Sequence, residues 1–145
     1  MRNRPFLALA TVLLAGRSLA GDDPAPRYDA IAAANGATTF KAYCAVCHGT
    51  TGHGDGRLAV GLRITPADLT RISTRNRGVF PSDRVAQIID GRRPVKGHGD
   101  SDMPAWGAAL LRSREGRDEH NVSEKIRELV HYLASIQETA EVRKQ

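Results

Sequence analysis

Cys44-Ala45-Val46-Cys47-His48 gathers the chain's two cysteines and one of its five histidines into five consecutive residues. A C-x-x-C-H run is the attachment pattern of a c-type haem. Two thiols at this spacing reach the two vinyl groups of one haem and form thioethers. A histidine beside the second cysteine is then directed at the iron from the same side. Three other chemistries use paired cysteines. A zinc site needs further ligands; a second cysteine pair is absent, and His53 would have to be recruited. A thioredoxin-like dithiol needs a strand before it and a βαβ context, whereas a helical pattern precedes this one. A disulfide across two intervening residues is strained. Covalent haem fits the run best.

The rest of the chain explains why such a staple is needed. Three Phe, three Tyr and one Trp in 145 residues leave the core poor in rings. Gly36 to His48 reads as a helix. Gly49 to Gly61, with five glycines, reads as a loop. Thr65-Pro66-Ala67-Asp68 reads as a helix start, with Thr65 as cap and a short helix to about Ile72. Ser82 to Asp90 forms another short helix, with Val85, Ile88 and Ile89 on one face and Gly91 as its stop. Arg92 to Gly107 is rich in Gly and Pro and reads as a loop. Asn121-Val122-Ser123-Glu124 matches a capping box. The helix it opens carries Ile126, Leu129, Val130, Leu133 and Ile136 on its apolar face, with His131 on the polar side. No alternating strand pattern and no repeat occurs, so the expected class is all-α. Long glycine loops bury little and carry much backbone entropy, which a bound haem offsets by giving short helices a large apolar body to pack on.

Residues 1–20 read as a secretory signal peptide, with Arg2 and Arg4 at the start and a largely apolar stretch of twelve residues from Pro5 to Gly16. Ser18-Leu19-Ala20 supplies the small residues of a cleavage site. The apolar stretch is too short to span a membrane comfortably, so no transmembrane anchor is expected after cleavage. Residues 21–35 read as an N-terminal extension, 36–140 as one haem-binding domain and 141–145 as a tail. The formal charge of +5 suggests nucleic acid or an anionic surface as partner. Arg2, Arg4 and Arg17 leave with the leader, however, and about +2 remains. Two haem propionates, if ionised, offset that remainder, so nucleic acid is not expected. Export places the protein in the periplasm or beyond, where c-type haem is attached.

Met103 becomes the only methionine once the leader is removed. It sits in a loop within Asp102-Met103-Pro104-Ala105-Trp106, and a thioether is a soft ligand suited to haem iron. His98 is the rival sixth ligand, and Met103 as a packing residue is the plainer reading. His53, His120 and His131 read as solvated side chains.

Gly36, Phe40, Cys44, Cys47 and His48, taken with Met103-Pro104-Ala105-Trp106, resemble a class I monohaem cytochrome c of bacterial type over about Gly36 to Gln137. The resemblance implies an all-α cytochrome c fold. It implies thioethers at Cys44 and Cys47 and axial ligation of one haem c by His48 and Met103. It also implies a close helix crossing at Gly36, with Phe40 packed on the segment Leu129–Leu133, and Trp106 near a propionate. Where many members of the family carry a proline whose nearby carbonyl holds the histidine ring, this chain has Arg57. The carbonyl of Arg57 or Leu58 is then the expected acceptor.

Filled axial positions favour one-electron transfer over enzymatic chemistry at the iron. The sequence thus reads as an electron-transfer protein and not an enzyme. A periplasmic carrier is the leading form; the alternatives are a haem subunit of a larger dehydrogenase or oxidase, and a gas sensor. Arg57 to Lys96 holds nine basic and three acidic residues. This stretch suggests docking to redox partners with acidic surfaces.

Overall fold

Asp29 caps the first helix: its carboxylate Oδ1 accepts the backbone N–H groups of Ile31 and Ala32, each at 2.9 Å. Helix α1 therefore runs Ala30–Tyr43 and buries Ala32, Ala33, Gly36, Thr39 and Phe40. The expected start at Gly36 falls inside this helix. A capping aspartate followed by alanines, two of them buried, extends it toward the N-terminus. The computed structural model describes residues 27–92, 103–113 and 118–138. The leader at 1–20, the first part of the extension, His98 and the tail at 141–145 lie outside the described residues.

Cys44 closes α1 through its N–H to the Phe40 carbonyl at 2.8 Å, and α2 (Ala45–His48) follows at once. The glycine loop then folds back on α2, with Gly56 N–H on the Cys47 carbonyl at 3.1 Å and Leu58 N–H on the Val46 carbonyl at 3.0 Å. A single 3₁₀ turn spans Ala59–Gly61.

The segment after Pro66 differs from expectation. Asp68, not Thr65, is the cap, accepting from Thr70 N at 3.0 Å and Thr70 Oγ1 at 2.6 Å. A 3₁₀ turn at Leu69–Arg71 leads into α3 (Ile72–Arg75). Ala67 thus stays outside the helix, and its carbonyl is free of an intrahelical partner. Helix α4 (Ser82–Asp90) has the expected bounds, ending at Gly91 in the left-handed region with φ 63°. Helix α5 (Trp106–Leu111) takes in the last two residues of the loop expected to end at Gly107 and continues where no element was assigned. It is too short to display a full apolar period. The final helix, α6 (Glu119–Ser135), begins before the capping box. Asp118 Oδ1 accepts from Asn121 N at 2.9 Å, and the earlier start buries Val122 completely.

The core forms where α1 crosses α6 and where α4 and α5 pack on α6. A Cβ on Gly36 would fall on the Glu128 carbonyl, so the two helix backbones touch at this point. Phe40, 1 % exposed, packs against Tyr132 with ring centroids 5.0 Å apart and the rings tilted by 47°. At the same crossing Asn35 Nδ2 donates to the buried Glu128 carboxylate at 2.9 Å, and Lys125 Nζ reaches it at 3.1 Å. Val85, Ile89, Leu110, Val122, Ile126, Leu129, Val130 and Leu133 complete the cluster. The described residues hold helices and no strand, as an all-α fold requires.

Candidate haem site

A cleft enters this core between α1, α3, α4, α5 and α6. It encloses about 1050 Å³ of space, counting the part open to solvent. Cys44, His48 and Met103 all line it, with Phe40, Val85 and Leu129 among the apolar walls. The structure thus brings together three of the four residues marked by the sequence. The fourth, Cys47, does not line the cleft; it is half-buried on α2, one residue before His48.

The two cysteines are free, with no disulfide between them. Burial pushes the Cys44 thiol up to about 12, and the nearby Cys47 adds to the rise. A redox-active or metal-binding thiol requires the opposite shift, toward the thiolate. Among the described residues no group of three or more His, Cys, Asp or Glu side chains is placed to hold a metal ion. His53 is occupied elsewhere: its Nδ1 faces Thr51 Oγ1 and its Nε2 faces Glu138 Oε1, each at 3.0 Å. The dithiol and zinc readings therefore lack support in the geometry. His131 is not simply solvated, because its Nδ1 accepts the Asp29 N–H at 3.0 Å across the α1–α6 contact.

His48 Nδ1 lies 3.1 Å from the Ala67 carbonyl oxygen. A carbonyl only accepts, so this bond places the ring proton on Nδ1 and leaves Nε2 with its lone pair. That is the tautomer a metal-binding imidazole needs. The expected acceptors, the Arg57 and Leu58 carbonyls, do not serve. Leu58 O is taken by the Gly61 N–H at 3.0 Å, within the turn that follows α2. Sequence reading missed Ala67 because it placed that residue in a helix. The signal was Asp68-x-Thr70, a local cap that begins the helix one residue after Ala67.

Met103 is half-buried just before α5, and Trp106 lines the cleft with its ring 5.6 Å from that of Tyr43. Arg75 and Arg84 also reach the cleft; Arg75 donates to the Asp68 carbonyl at 2.7 Å. The donor set and the walls fit a haem: an imidazole whose ring proton is held on Nδ1, a thioether, a buried thiol and an apolar slot.

No helix among the described residues is long and apolar enough to cross a membrane. No curated protein matches the chain. Residues 31–133 match the family described as cytochrome C oxidase, cbb3-type, subunit III, a stretch that covers nearly all of both crossing helices and every residue lining the cleft. The chain belongs to that family and is a monohaem c-type cytochrome, binding one haem c covalently and serving haem-based electron transfer.

Proposed function

We propose that Cys44 and Cys47 carry the haem as thioethers, that His48 Nε2 and Met103 Sδ are its axial ligands, and that the protein works as an exported one-electron carrier. The observation that carries this reading is the lining of one apolar cleft by Cys44, His48 and Met103, with the His48 proton held away from the iron side by Ala67. The bound haem supplies a one-electron couple between ferrous and ferric iron. The chain's own residues do the rest. With His48 and Met103 both holding the iron, no coordination position would stay open, which would disfavour oxygen activation. Apolar walls such as Val85 and Ile89 exclude water and keep the change of charge from reorganising solvent. The residues that carry this role form one domain over 36–140, extended at its start by the first turns of α1, behind a cleaved leader at 1–20.

Export to the periplasm follows from the leader and from the compartment in which c-type haem is attached. Partners are redox proteins, and the basic stretch from Arg57 onward favours acidic docking surfaces whose association weakens with salt. The family's description supports a second reading, in which the chain is the haem subunit of an oxidase. Purification of the exported protein separates the two, since a subunit elutes with its complex and a carrier elutes alone.

The visible spectrum tests the ligands. A low-spin c-type spectrum with a methionine-to-ferric charge-transfer band is the expected result. Met103→Ala should abolish that band with haem still attached, and should lower the reduction potential as thioether ligation is lost. A band that survives in Met103→Ala rules out this methionine as the ligand.

A further inference from the structure

We infer that Gln137 is a positioning residue for His48: its carboxamide, just beyond α6, fixes the segment that presents the Ala67 carbonyl to the histidine ring. Gln137 Oε1 accepts the Ser73 N–H at 2.8 Å. Its Nε2 donates to the Leu69 carbonyl at 2.8 Å and to the Leu133 carbonyl at 2.7 Å. One side chain therefore ties the 3₁₀ turn and α3 to the end of α6. The neighbouring backbone repeats the tie, with Glu138 N–H on the Thr70 carbonyl at 2.8 Å. From the other side, Leu69 N–H holds the Gly52 carbonyl at 2.6 Å.

Ala67 needs this scaffold. It lies two residues before Leu69, outside any helix, with no regular structure in the residues just before it. The direction of its carbonyl is set by what anchors the turn that follows. Only a group with both a donor and an acceptor can bridge Ser73 N–H and Leu69 C=O at once, and a carboxamide is that group. An apolar side chain of the same length makes neither bond.

The consequence is electronic. This inference rests on His48 being the iron ligand. An Nδ1–H that donates firmly to a carbonyl gives the ring partial imidazolate character and a more basic Nε2, which favours ferric iron. A looser Ala67 carbonyl weakens that donation, so ferric iron is less favoured and the reduction potential rises.

The test compares haem-loaded wild type with Gln137→Met, which keeps the length and removes all three bonds. Two quantities are read: the reduction potential, and the exchange of the His48 Nδ1 proton with solvent in the reduced protein by NMR. Val122→Ala is the control. It loosens the core near the opposite end of α6, at a residue with 0 % exposure, and makes no contact with this scaffold through hydrogen bonds. Gln137→Met should raise the potential and speed proton exchange by roughly tenfold or more. Val122→Ala should lower the melting temperature and leave both quantities at wild-type values. Unchanged potential and exchange in Gln137→Met overturn the inference. So does an equal change in Val122→Ala, which would make the effect one of general loosening. If Gln137→Met does not accumulate, Gln137→Asn, one methylene too short, is read in the same way. A wild-type protein without a low-spin spectrum defeats the ligation reading instead, and that is seen before any variant is made.

Discussion

At Gly36 two helix backbones meet with no side chain between them. The family resemblance implies a close crossing at this position, and the structure supplies the reason: the Glu128 carbonyl and the Leu129 amide fill the space a Cβ would need. Alanine would gain about 1 kcal/mol in helix propensity. Overpacking costs about 1–3 kcal/mol, and the upper part of that range, about 2–3 kcal/mol, applies because the clash is with backbone atoms, which yield less readily than a flexible side chain. Gly36→Ala should therefore destabilise the haem-bound protein by about 1–2 kcal/mol net. Thermal melts read this as a fall of several degrees; a melting temperature at or above wild type would show that the helices can part without cost. The residues of the site were legible to the extent that they act through side chains. Cys44, His48 and Met103 announce their chemistry by type, and all three line one cleft. Ala67 acts through a carbonyl that every residue possesses, so no letter of the sequence points to it. Gln137 is hidden for a related reason, since a glutamine at a helix end is ordinarily a solvated side chain.

Helix ends show the same limit one scale up. Three aspartates, Asp29, Asp68 and Asp118, cap the starts of α1, the Leu69–Arg71 turn and α6. Two of these starts carry a competing pattern: Thr65 with Pro66, and the box at Asn121. Patterns of local type cannot decide between neighbouring caps. Tertiary burial decides: Val122 is fully buried, and Ala32 and Ala33 pack inside α1. The apolar faces of α4 and α6 were legible because burial repeats along them with a 3.6-residue period. Helix α5, six residues long, gave no period to read. The caps also make stability depend on pH. The Ala32 N–H, with that of Ile31, holds the Asp29 carboxyl below its ordinary value of 3.8. A depressed folded-state value means that the carboxylate's contribution is complete above the unfolded-state value and is lost as pH falls through the folded-state value. Asn caps as well as Asp but does not titrate. Asp29→Asn should thus match wild type near neutral pH and show a shallower loss of melting temperature on the acid side of 3.8. Superimposable acid limbs for the two proteins would remove Asp29 from the account of acid stability.

For the whole molecule, the decisive fact is that core and cleft share residues. Phe40, Val85, Ile89, Leu129 and Leu133 belong to the buried cluster and also line the cleft. Interiors are packed to crystal density, and each unfilled volume forfeits contacts on every wall that faces it. Without haem these side chains face a void or water, and little else compensates. The α1–α6 crossing joins helices of 14 and 17 residues, a pair too small to stand as an independent domain. The glycine loop between α2 and the Leu69 turn adds entropy cost, and its buried residues, Gly49, Gly52, Gly54 and Gly56, bring no side chain to the core. The all-α class could be read from the absence of alternation, but the location of the missing apolar mass could not; only the fold shows that the cleft runs through the centre of the core. The haem is therefore expected to hold the fold together as well as to carry the electron. The Cys44→Ala, Cys47→Ala double variant, purified without haem, should show reduced helix content and no cooperative thermal transition by circular dichroism. Residual helix in α1 and α6 would melt gradually, as isolated helices do. A sharp transition with the helix signal of the haem-bound protein would mean that the helices close the cleft by themselves. The haem would then be cargo in a fold that stands without it.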